Sequence, residues 1–232
     1  IKILTLNTHK HPFKIISFSN AYLKKTTIES SYVDTRFKIE DAILSLLKNN
    51  SYNVSRFYST EFKKLIIKTL KSNTYDIVVL ESLFSCNYIK TIKNYSTSKI
   101  ILRSHNIEYK IWDKNSMKSL NPFKKVYFKI LSNQLKKYEL EILKKIDGVA
   151  CISDNYKNEF ERLNSNLNIE TIPFGINIKN YRFKDKIRDN QKLKFFHIGA
   201  MDWLPNSEAA KWLINKIWPR IHKKIPNAEL HL

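Results

Sequence analysis

The sequence predicts an α/β protein built on a doubly wound parallel sheet. Three observations carry this. Short β-branched runs alternate with helical stretches that bear an apolar stripe. One of these runs, "YDIVVLE" (75–81), is apolar almost without interruption, as a strand buried on both faces of a parallel sheet is. The runs are separated by helical segments long enough to form the crossovers that parallel strands require.

Taken in order, "IKILTL" (1–6) reads as a strand and "TTIESSYV" (26–33) as a half-exposed one, because apolar and polar residues alternate. "KIEDAILSLLKN" (38–49) has helical spacing, with Ile39, Ala42, Ile43, Leu46 and Leu47 on one face. "STEFKKLIIKTL" (59–70) repeats the pattern, and Ser59 is suited to cap it. A short helix is expected at about 84–94, followed by a second core strand, "KIILR" (99–103). Residues 107–146 read as helix broken near Asn121-Pro122, because proline cannot continue a helix. Beyond the break Phe123, Val126, Tyr127, Ile130, Leu131, Leu135, Tyr138, Ile142 and Ile146 form one apolar stripe, with lysines elsewhere. Gly148 suits the turn that follows. "VACIS" (149–153), a helix over 154–163 and "IETIPF" (169–174) complete this part. Residues 178–192 are polar, charged and aperiodic, and read as a linker. A new unit then starts with a strand (193–200), a helix at about 206–217, a helical turn after Pro219 and a last strand, "AELHL".

The 232-residue chain carries a net charge of +20. That charge favours nucleic acid, an anionic membrane surface or phosphorylated ligands, and it also fits a solvated lysine-rich face. No helix-turn-helix, RNP-like or zinc-finger signature appears, so nucleic acid is not an expected partner. No apolar run reaches bilayer length. Cys86 and Cys151 lack ligand spacing and read as buried free thiols of a reducing compartment. No Walker A, H-E-x-x-H or G-x-S-x-G pattern occurs, and His9, His11, His197, His222 and His231 show no metal spacing. Neither a metal nor a cofactor is expected. The lack of an initiating Met and the strand-like last residues read as a piece of a longer chain.

In parallel α/β sheets ligands bind at the carboxyl ends of strands. Three such ends are polar here: Glu81; the group Arg103, Ser104, His105, Asn106 and Glu108; and the turn 201–206. His105 is the candidate to hydrogen-bond a hydroxyl or phosphate; the other reading is a histidine that satisfies backbone groups at a helix start. Gly199 permits a sharp turn or a close approach. Asn206 reads as an N-cap with Glu208 in the first turn, and strand, glycine turn and helix N-terminus together suit an anion. Met201 and Trp203 read as packing groups.

"SHNIEYKIW", then "YELEILKKIDGVACIS", "IPFGIN" and "FHIGAMDWLPNSEAAKWLINKIWPRIHKKIPNAELHL" resemble, in order and spacing, the group 1 family of retaining GT-B glycosyltransferases. "VDTRF", "YNVSRF" and "YDIVVLESLF" upstream are similar to the same group. The resemblance implies two Rossmann-like domains. Residues 1–177 would form the acceptor-side domain without its first strand, and 193–232 would begin the donor-binding domain. It implies transfer of a sugar from a nucleotide-diphosphate donor to a saccharide or lipid-linked acceptor, in the cytoplasm or on the inner face of the membrane. His105 matches the family's cleft histidine, and Gly199, Ala200, Met201, Asp202 and Asn206 fall on its diphosphate loop. Glu81, Arg103, Asn106, Glu108 and Arg56 are acceptor-side candidates, Arg56 being equally readable as a surface residue. Two departures stand out. Phe174 replaces the first Asn of the interdomain stretch, and the loop after Gly199 lacks the basic residues that neutralise a diphosphate in many members. The fragment by itself is expected to be inactive. The alternative is a non-catalytic basic module, whose helix 123–145 would rest on an anionic membrane surface.

Overall fold

The computed structural model describes residues 1–36, 38, 40, 41, 44, 45, 51–181, 193–202 and 204–232. The apolar face expected on 38–49, most of the 178–192 linker and Trp203 lie outside the described residues. The chain divides into two compact units, Ile1–Gly175 and Ile176–Leu232.

The first unit is α/β and Rossmann-like, with parallel sheets. Strands β1 (Lys2–Asn7) and β2 (Thr27–Tyr32) pair in parallel, with the short helix α1 (Asn20–Leu23) between them. Helices α2 (Tyr52–Ser55) and α3 (Thr60–Ser72) lead to β3 (Ile77–Glu81). A 3-10 turn (Leu83–Tyr88) and α4 (Ile89–Tyr95) then return the chain to β4 (Lys99–Ser104). The antiparallel hairpin of α5 (Glu108–Lys118) and α6 (Pro122–Leu143) follows. Strand β5 (Gly148–Cys151), helix α7 (Asp154–Leu163) and strand β6 (Asn168–Thr171) complete a four-stranded parallel sheet in the order β3-β4-β5-β6.

Local chemistry sets the boundaries. The Ser59 side chain accepts a hydrogen bond from the Phe62 N–H and caps α3 as expected. The break between α5 and α6 falls at 119–121. Pro122 occupies the first turn of α6, where its missing N–H costs nothing, and the Asn121 side chain accepts from the Lys124 N–H. Gly148 is the first residue of β5 and not a turn residue. A Cβ there would come within 3.0 Å of the Asn168 carbonyl oxygen and 3.2 Å of Ile101. Its lack of a side chain therefore serves the close approach of neighbouring strands.

Leu80, Ile100, Leu102, Val149 and Ile169 project from the sheet into one core with Phe62, Ile66, Leu135, Ile142 and Phe160. Ile77 and Val79 alternate with the buried Leu80 and are 57% and 51% exposed, so the expectation that β3 is buried on both faces does not hold. The reason is topological. Strands β3 to β6 are laid down consecutively in one direction, and right-handed crossovers then put every connecting helix on the same face. In addition, β3 ends the sheet on one side, because β1 and β2 form a separate pair among the described residues. Helix α3 packs against both of those strands, and Leu4 and Leu6 of β1 pack against the core.

The stripe expected along α6 is also divided. Leu131, Leu135 and Ile142 are buried, while Phe123, Val126 and Ile130 are exposed.

The second unit is a single β-α-β element. Strands β7 (Lys194–Phe196) and β8 (Glu229–His231) pair in parallel. Between them run α8 (Leu204–Trp212), a π-helical turn (Leu213–Ile217) and α9 (Trp218–Lys224). Its helix starts two residues before the expected Asn206.

Candidate functional site

Register builds the site. In the β3–β4 pairing Glu81 lies opposite Arg103 at the carboxyl ends of both strands. Arg103 Nη1 donates to Glu81 Oε1 at 3.3 Å. His105 follows two residues later, on the same side of the extended chain, and its Nε2 meets Glu81 Oε2 at 3.1 Å. One carboxylate thus joins both candidates. The Glu81 side chain is 56% exposed, so the site opens to solvent.

Phe174 supplies a floor that the sequence did not reveal. Its ring is stacked on His105 at 5.5 Å with an interplanar angle of 1°. The Arg103 guanidinium lies over the same ring, 4.9 Å from its centre. Strand β6 ends at Thr171, short of the expected 174, which frees this stretch to reach the end of β4. The aromatic in place of Asn was visible as a departure in the motif; what it touches was not.

Ser82 is another residue missed from the sequence. It has φ 75° and ψ 160°, a region occupied almost only by glycine. Its N–H donates to the Arg103 carbonyl at 3.0 Å, and its own carbonyl accepts from Ser85 Oγ at 2.7 Å. These bonds hold a strained turn directly behind Glu81. No serine at a strand end advertises such a conformation, because backbone strain is imposed by the surroundings.

Asn106 and Glu108 turn inward. The Asn106 carbonyl accepts from Ser104 Oγ at 2.8 Å, and its Oδ1 accepts from Tyr156 at 3.5 Å. Glu108 opens α5 and is buried, and burial raises its pKa. Glu139, on α6, is 1% exposed. Burial, and then the neighbouring Glu108 charge, push its pKa up to about 8. The N–H groups of Glu108 and Tyr109 are near enough to favour its charged form, yet neither carboxyl oxygen is in hydrogen-bond geometry. The segment that follows His105 is therefore backed by two buried carboxyls, while the exposed carboxylate beside His105 itself is Glu81.

Arg56 lies apart from this cluster. It lines a cavity of about 380 Å³ with Asp34, Arg36, Lys38, Tyr52 and Tyr58. Its Nε is buried without a partner, and burial lowers its pKa. His9 and His11 are exposed.

In the second unit, the Asn206 amide donates to the Ala200 carbonyl at 3.1 Å. A Cβ on Gly199 would come within 3.1 Å of that side chain. Gly199 thus lets Asn206 fold over the turn, and no positive φ is involved. Met201 is 45% exposed. Asp202 is exposed. Asn206 sits inside α8 rather than at its cap.

Both cysteines are free and buried. Among the described residues no cluster of His, Cys, Asp and Glu could hold a metal ion, and no helix is long and apolar enough to cross a membrane. No protein-family model matches the chain, and the search of curated proteins finds no match.

Proposed function

We propose that this chain is the acceptor-side part, with the beginning of the donor-side part, of a retaining glycosyltransferase. The reaction would move a sugar from a nucleotide diphosphate to a saccharide or lipid-linked acceptor in envelope polysaccharide or glycolipid synthesis. The observation that carries the reading is the Glu81–His105–Arg103–Phe174 cluster at adjacent strand ends. The motif resemblance supports it.

The chemistry follows from the hydrogen bonds. A carboxylate only accepts, so Glu81 fixes the proton on His105 Nε2. In the neutral ring Nδ1 is then an acceptor for a sugar hydroxyl. Stacking on Phe174 holds the imidazole plane, and fixed orientation is what a transfer site needs. Arg103 places a permanent positive charge and a fork of N–H donors beside it, suited to hold the oxygens of an acceptor. On the donor side, the reading gives the phosphates to backbone N–H groups of the Gly199 turn and to the start of α8, since the loop itself contains no basic residue.

The test is His105→Ala in the full-length enzyme, with sugar transfer measured from labelled nucleotide sugars. Loss of roughly 10²-fold or more is expected for a group that orients the reacting centre. Transfer at the parent rate would make His105 a structural residue.

A further inference from the structure

We propose that the tip of the α5–α6 hairpin is a docking surface for an anionic lipid bilayer. Met117, Leu120, Phe123, Val126 and Ile130 are 69%, 101%, 85%, 60% and 41% exposed. They fall on one end of the hairpin, where Ser116 Oγ donates to the Lys125 carbonyl and Trp112 meets Phe128. Isolated exposed apolar residues are ordinary on protein surfaces, but five gathered at one end of a helical hairpin mark an interaction site.

Charge identifies the occupant. From Tyr109 to Tyr138 the sequence holds one acidic residue, Asp113, against eight lysines. Asp113 is paired with Lys129 at 2.6 Å. Lys114, Lys118, Lys124 and Lys125 are exposed around the apolar tip. A second copy of the hairpin would bring two lysine rings together, so self-association is opposed. An anionic bilayer satisfies both parts of the pattern: acyl chains take the apolar side chains, and headgroups take the lysines, each contributing about 1 kcal/mol near such a surface. Long lysine stems let the charges stay at headgroup level while the tip inserts.

The surface differs from the whole basic helix 123–145. The second half of α6 is in the core, which leaves the tip as the contact element. The proposal does not depend on sugar transfer, and its assay contains no donor or acceptor sugar.

The experiment uses vesicles of phosphatidylcholine alone and of phosphatidylcholine with phosphatidylglycerol. The full chain is expected to sediment with the anionic vesicles only, and added salt should weaken binding. Leu120→Ser with Phe123→Ser should reduce the partition coefficient by about tenfold or more. Both residues are exposed, so the circular dichroism spectrum should not change. As a second readout, Leu120→Cys can be labelled with an environment-sensitive dye, because Cys86 and Cys151 are buried. A blue shift on anionic vesicles is expected. The proposal fails if the chain ignores anionic vesicles, if the double substitution leaves binding intact, or if the dye keeps its aqueous emission while the protein sediments.

Discussion

Replacing Glu139 by glutamine tests the electrostatics behind the site. A glutamate titrates at 4.5 when exposed, whereas burial and Glu108 hold Glu139 at about 8 in the folded chain. Between those two pH values the folded state keeps a proton that the unfolded state has lost. Stability linked to this group is therefore fully present below the exposed value and declines as pH rises towards the folded one. At about 1.4 kcal/mol per pH unit, a gap of roughly 3.5 units sets a ceiling on the order of 5 kcal/mol. Relaxation of the surroundings at an effective dielectric of about 20 reduces this, and about half of the ceiling is the expected effect. Glu108, Tyr109, Lys110 and Cys86 also face or feel this carboxyl, and they remain in the variant. Glutamine keeps the shape and never ionises. Urea unfolding followed by circular dichroism at pH 5, 6, 7 and 8 gives the comparison. Parent and Glu139→Gln should have similar stability at pH 5, with the variant more stable by a few kcal/mol at pH 8. A difference that stays constant across that range would refute the reasoning, because it would mean Glu139 is charged throughout.

Further outcomes follow from the packing and the site. Leu135→Ala, at a side chain with 0% exposure, should cost about 2–5 kcal/mol, while Val79→Thr on the open face should stay within about 0.5 kcal/mol in the same urea assay. Ser82→Gly should raise stability by about 1 kcal/mol, since glycine adopts φ 75° without strain; destabilisation would show that the turn is not strained. Glu81→Gln in the full-length enzyme should lower transfer without unfolding the protein, because the carboxylate that orients His105 and Arg103 is gone. An unchanged rate would remove Glu81 from that role. Cys86 and Cys151 should resist thiol reagents until the protein unfolds, as burial raises both thiols and moves Cys151 to about 11.

Much of the element order was legible in the residues. Periodicity is local, and caps are local too. Ser59 and the Asn121-Pro122 break therefore announced the ends of α3 and α5 without any knowledge of the fold. Strand ends carrying Glu81 and Arg103 were likewise visible as polar residues after apolar runs. Their pairing was not, because register depends on how two distant strands align. Phe174 reaches His105 for a similar reason: a loop's path is set by where its strand stops pairing.

The sequence alone determined which side chains share a face of each helix and strand, for that depends only on the repeat of the backbone. It could not say whether anything covers that face. Strand order and the hand of the crossovers decided this, leaving Ile77 and Val79 open on β3 and carrying the first turns of α6 beyond the core. The exposure of Leu120 and the burial of Glu108 and Glu139 are likewise absent from those repeats. Burial is a property of neighbours, and neighbours are chosen only when the chain folds.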